Sequence, residues 1–154
     1  MSTNLLLRVI AAFTLTLILS ACNDNNSGQA VEPINTGLQT FESGDAEREY
    51  FVLLPEDNVQ AGAASPASDE PKPLLIALHG TGGDYLNWTE QQDGYDLIEP
   101  VGDGAVMVFP NALPDANGSP QWSFATDFDF FLDLLAELDR RGLEYDPNRI
   151  FVTG

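Results

Sequence analysis

Three unbroken apolar runs constrain this chain more than any other feature: 74–78 (Leu-Leu-Ile-Ala-Leu), 105–109 (Ala-Val-Met-Val-Phe, closed by Pro110) and 149–153 (Arg-Ile-Phe-Val-Thr). Continuous rather than alternating apolarity marks strands covered on both faces, as in a parallel sheet. Between the last two runs, Phe128, Phe131, Leu135 and Leu138 recur at helical spacing, with Leu132 and Leu134 beside them. Thr126 is placed to cap that helix, with Asp129 three residues on as its capping-box partner. Asp127 and Asp129 suit the positive helix start, Arg140 and Arg141 the end, and Gly142 the position just past it. Residues 85–99 also read as helical, interrupted by Gly94, and 49–54 reads as a strand ending at Pro55. The segment from about 56 to 73 is a loop of Ala, Gly, Ser, Pro and acids. Buried strands alternating with amphipathic helices predict an α/β fold over 41–154, with a mainly parallel sheet and flanking helices.

Charge and rare residues narrow the function. Six Lys and Arg stand against 24 Asp and Glu, a formal net charge of −18. Phosphate neutralisation needs clustered cations, so nucleic acid is excluded as a partner. Docking on an anionic bilayer through a basic patch is excluded on the same ground. The single Cys rules out an intrachain disulfide. The single His rules out a multi-His metal site, and any His-dependent catalysis uses His79 or lies outside this chain. Asp115, Asn117 and Ser119 have the start of a calcium-loop spacing, but Pro120 stands where the turn glycine is needed and no Glu closes the loop. No metal and no cofactor is expected.

The N-terminus reads as an export signal. Arg8 precedes an apolar core over 9–19, followed by the small residues Ser20 and Ala21. The core is too short to span a bilayer comfortably. The tetrad Leu19-Ser20-Ala21-Cys22 resembles the lipobox of bacterial lipoproteins, which implies a signal peptide over 1–21, cleavage before Cys22 and acylation of that residue. Several acyl chains would anchor the protein durably in the cell envelope, on the periplasmic or outer surface; an unlipidated product would be secreted. Residues 22–40, rich in Asn, Gly, Ser and Gln, read as a flexible tether.

The chemistry is expected where the first apolar run ends, at Leu78-His79-Gly80-Thr81-Gly82-Gly83. Ligands of open α/β sheets bind beyond the carboxyl ends of the strands. Glycines there bring backbone N–H groups close to a ligand, where they serve as fixed donors to a developing oxyanion. His79 itself reads as a turn-stabilising residue, and Thr81 would act through its backbone. Trp122, in a loop, is a candidate pocket residue; Trp88 is weighed as pocket or as ordinary core, with core favoured.

This turn resembles the HGGG-type oxyanion loop of the α/β-hydrolase superfamily. The nearer resemblance is to polyhydroxybutyrate depolymerase-like and feruloyl esterase-like secreted esterases. It is carried by 73–80, by 106–111 (Val-Met-Val-Phe-Pro-Asn), by Trp122 followed by 127–131 (Asp-Phe-Asp-Phe-Phe), and by 145–154 (Tyr-Asp-Pro-Asn-Arg-Ile-Phe-Val-Thr-Gly). In that family the last stretch runs into the nucleophile elbow G-x-S-x-G, whose first glycine would be Gly154. The resemblance thus implies the N-terminal half of an α/β-hydrolase fold, a fragment in which Thr81 supplies an oxyanion donor. The Ser, Asp and His of the triad would all lie beyond Gly154. The implied partner is a carboxylic ester: a polyhydroxyalkanoate, a feruloylated sugar or a simpler ester. On this expectation the 154-residue chain alone is inactive. The alternative is a non-enzymatic lipoprotein, or a truncated pseudogene product, that keeps the half-fold.

Overall fold

The structure, a computed structural model, describes residues 31–57, 70–90 and 97–154. The expected signal peptide, Cys22, the first part of the tether, most of the 56–73 loop and the centre of the 85–99 helix lie outside the described residues. Among the described residues no helix is long and apolar enough to cross a membrane.

Five strands form one sheet in the order β1-β2-β4-β3-β5. They are β1 (Gly37–Ser43), β2 (Ala46–Leu53), β3 (Leu74–Ala77), β4 (Val106–Pro110) and β5 (Ile150–Thr153). β3 pairs in parallel with β4 and with β5, whereas β2 is antiparallel to both β1 and β4. The sheet is therefore mixed, not mainly parallel as expected. The reason is the β1–β2 hairpin, which turns at Gly44 with φ of 60°. β1 alternates half-buried and exposed residues, the pattern of a strand at a wet edge, and carries no apolar run.

The start of the fold also corrects the expected tether, whose described part belongs to the domain. Ile34 is buried in the core. The Thr36 hydroxyl accepts the Leu54 N–H at 3.0 Å. Arg141 donates to the carbonyls of Glu32 and Pro33.

Apolar clusters cover both faces of the sheet at β2, β3 and β4, whereas β5, expected to be covered as well, exposes Phe151 and Val152 because it pairs only with β3 among the described residues. On one face, α3 (Phe124–Arg140) lays Phe130, Leu134 and Leu138 against Tyr50, Val52, Leu74, Ile76, Val106 and Val108. On the other, Trp88, in the single turn α1 (Leu86–Thr89), packs with Leu53, Ala77, Met107 and Phe109. Partly buried Ile98 and Val101 of α2 (Ile98–Val101) flank this second cluster. All five residues of β4 are buried, as its continuous apolarity predicts. The described ends of the predicted 85–99 helix are these two short turns, α1 and α2.

α3 differs from expectation at its start and agrees at its end. It begins after Ser123, so Thr126 lies inside the helix and the Thr126–Asp129 capping box does not form. The Asp127 carboxylate instead accepts the Ser123 N–H at 2.6 Å. The buried stripe runs through Asp127, Phe130 and Leu134, which leaves Phe128 56% and Leu132 55% exposed. At the C-terminus Gly142 has φ of 72°, its N–H bonds the Asp139 carbonyl, and the Leu143 N–H bonds the Leu138 carbonyl. This is the Schellman arrangement, which glycine makes without steric cost.

Candidate active site

β3, β4 and β5 point the same way, so the chain leaving each arrives at one edge of the sheet. Three segments meet there: the turn after β3 (79–84), the loop after β4 (111–123) and Gly154 after β5.

The turn is built by its glycines. The Gly83 N–H bonds the Gly80 carbonyl at 3.0 Å, and Gly82 takes φ of 79°. A left-handed residue at the third position is the type II turn pattern. The N–H of the second residue in such a turn points away from the turn's own hydrogen bond. Accordingly, among the described residues, the exposed Thr81 amide has no acceptor. Gly82 N–H is engaged by the Pro120 carbonyl at 2.8 Å. A Cβ on Gly83 would displace the Asn87 side-chain oxygen and sit 3.2 Å from the Gly80 carbonyl oxygen. Asp84 then starts α1: its carboxylate accepts the Leu86 N–H, and its own N–H donates to Asn87 Oδ1.

His79 is a staple. The residue is 2% exposed. Nε2 accepts the Ala112 N–H at 3.0 Å, so Nδ1 carries the hydrogen and donates to the Gly80 carbonyl at 2.7 Å. With both nitrogens bound to backbone, this side chain has no lone pair to offer as a base. Trp122 completes the staple: its indole N–H donates to the His79 carbonyl at 2.9 Å, and the two rings lie 5.1 Å apart. Trp122 also stacks on Phe130 and touches Phe131, which ties the turn to α3. Trp88 is 5% exposed and stacks on Phe109 in the core, beside Ala77 at the end of β3, so its side chain is packed rather than open to a ligand.

The 111–123 loop is shaped by side chains whose roles are not evident from sequence spacing. Asn111 Oδ1 accepts the Tyr85 N–H, and its amide donates to Glu49. Asp115 closes an Asx turn, accepting the N–H of Asn117 at 2.8 Å and of Ser119 at 3.0 Å. Those bonds, Ser119's foremost, hold its carboxyl below the usual carboxylate range. The apparent calcium spacing is thus a self-satisfied turn. Among the described residues no group of three His, Cys, Asp or Glu could hold a metal ion.

Below the loop lies a buried ion pair. Arg48 of β2 and Asp127 of α3 meet at 2.8 Å with side chains 3% and 5% exposed. The guanidinium also donates to the Asn111 carbonyl and sits 3.7 Å over the Phe130 ring. Asp127 is thus more than an acid at a helix start, and Arg48 carries no signal in the sequence because its partner is 79 residues away.

The third segment is held by backbone. Ala77 pairs with Thr153, and the Leu78 N–H bonds the Thr153 carbonyl at 2.8 Å. Comparison with protein-family profiles and with curated proteins returned no match.

Proposed function

We propose that this chain supplies the oxyanion loop of a serine carboxyl-ester hydrolase of the polyhydroxybutyrate depolymerase-like or feruloyl esterase-like kind. The observation that carries the reading is a pair of backbone features at one edge of the sheet: the N–H of exposed Thr81, which has no acceptor among the described residues, and Gly154 pressed against Leu78, the residue that follows the neighbouring parallel strand. A nucleophile two residues past Gly154 would rise at the same edge as the Thr81 amide. In such an enzyme the Ser hydroxyl attacks the ester carbonyl, the alcohol leaves, and water hydrolyses the acyl-enzyme. The Thr81 N–H would stabilise the tetrahedral oxyanion together with the N–H that follows the Ser. The neighbouring residues favour this use, since His79 and Trp122 hold the turn rigid before charge develops. Export and lipid anchoring at Cys22 belong to the same proposal.

The test is to read the codons after Gly154 and to assay the products. The expected frame encodes x-Ser-x-Gly, its full product hydrolyses a p-nitrophenyl ester, and residues 1–154 alone show only background. Turnover by the 154-residue chain, or a frame without Ser at the second position, rejects the proposal.

A further inference from the structure

We infer that Arg48 and Asp127 are positioning residues for the candidate oxyanion turn, acting through the two ends of the 111–123 loop. The inference rests on the reading of that turn given above. One end of the loop is held where Arg48 Nη2 donates to the Asn111 carbonyl at 3.3 Å. The other is held where Asp127 Oδ2 accepts the Ser123 N–H at 2.6 Å. The 2.8 Å bond between Arg48 Nη1 and Asp127 Oδ1 joins the two holds.

The loop's grips on His79 come from the residues next to those ends. Ala112, one residue after Asn111, donates its N–H to His79 Nε2. Trp122, one residue before Ser123, donates its indole N–H to the His79 carbonyl. Each grip on the turn is therefore one residue from a clamped end. Sequence spacing makes this a connected path: ion pair, loop ends, His79, then the backbone of Gly80 and Thr81.

A buried ion pair is a poor device for stability, because desolvation offsets much of its attraction. Here Arg48 Nε is also buried with no hydrogen-bond partner among the described residues. An apolar pair would fill the space at lower desolvation cost but could not hold two backbone groups from different ends of a loop. The charges are suited to geometry.

The test uses the full chain, ¹⁵N-labelled, with hydrogen exchange and chemical shifts of the Trp122 indole N–H and the Thr81 amide as readouts. In the apolar replacement Arg48→Met/Asp127→Leu, the Trp122 indole is expected to exchange at least tenfold faster and the Thr81 amide resonance to shift. Core amides of β4 should keep their protection. Arg48→Lys keeps a charge for Asp127 but lacks the fork that also reaches Asn111. It is expected to perturb Ala112 and His79 more than Trp122, and it serves as the probe if the double variant does not fold. Unmoved Trp122 and Thr81 signals in a folded variant, or a uniform loss of protection across the sheet, overturn the inference. None of these readouts depends on ester hydrolysis, so failure of the esterase reading is recorded separately.

Discussion

Gly154 stands so close to Leu78 that a Cβ on it would lie 2.8 Å from the Leu78 carbonyl oxygen and 2.9 Å from the Leu78 Cβ. Each partner directly follows a short parallel strand, and neither contact is with the far end of a flexible side chain. Only glycine fits unless β3 and β5 separate. Gly154→Ala should therefore loosen this end of the pair at a cost of about 1–2 kcal/mol. The readout is the Leu78 amide, bonded to the Thr153 carbonyl, which should exchange roughly tenfold faster. Unchanged Leu78 protection would show that the strands tolerate a side chain there.

The free amide at Thr81 makes a sharper test of the proposed chemistry. Proline is favoured at the second position of a type II turn and lacks an N–H. Thr81→Pro should leave the stability of this chain within about 0.5 kcal/mol, since the residue is exposed and its N–H is unbonded among the described residues. If the proposed function holds, the same change in the ester hydrolase should lower kcat by about 10²–10³-fold. Thr81→Val, which keeps the amide, should lower it little. Equal losses for both variants would place the effect in the side chain.

His79→Ala should be costly whatever the protein does. It removes the acceptor of the buried Ala112 N–H, frees the Gly80 carbonyl and opens a cavity beside Trp122. The expected loss is about 2–4 kcal/mol in urea denaturation. A loss below about 1 kcal/mol would contradict the staple.

Tyr145 provides the alkaline signature. Burial foremost, and then its hydroxyl bond to Asp139 at 2.8 Å, push the phenol up to about 12 from its ordinary value of 10.0. The folded state then retains a proton that the unfolded state releases. The resulting stability is fully present below pH 10 and is lost as pH rises from about 10 to 12. Absorbance titration should show a phenolate step near pH 12 that Tyr145→Phe abolishes. Persistence of that step in the variant would assign it elsewhere.

The apolar runs at 74–78 and 105–109 announced β3 and β4, because a strand covered on both faces has no polar alternation to obscure it. The run at 149–153 announced β5 equally well but not its surroundings. Phe151 and Val152 are 56% and 63% exposed, on opposite faces of a strand that pairs only with β3 among the described residues. β1 was not legible, since GLQTFES has neither an apolar run nor a strong alternation and owes its strand state to pairing with β2. The helix pattern in 128–138 identified α3 but misjudged its rotation. The spacing puts Phe128 on the inner face, but Phe128 is exposed and Phe130 is buried, packed under the Arg48 guanidinium that pairs with Asp127.

Local chemistry, then, was decided by sequence alone: continuous apolar strands, a glycine turn after Leu78 and a glycine stop at 142, because each depends on residues a few positions apart. Tertiary structure alone decided which side chains hold that turn. His79 to Ala112, Trp122 to His79 and Arg48 to Asp127 join residues 33, 43 and 79 positions apart. Such contacts exist only once the sheet order has brought the chain ends after β3 and β4 to one edge, and no local pattern encodes a partner at that distance.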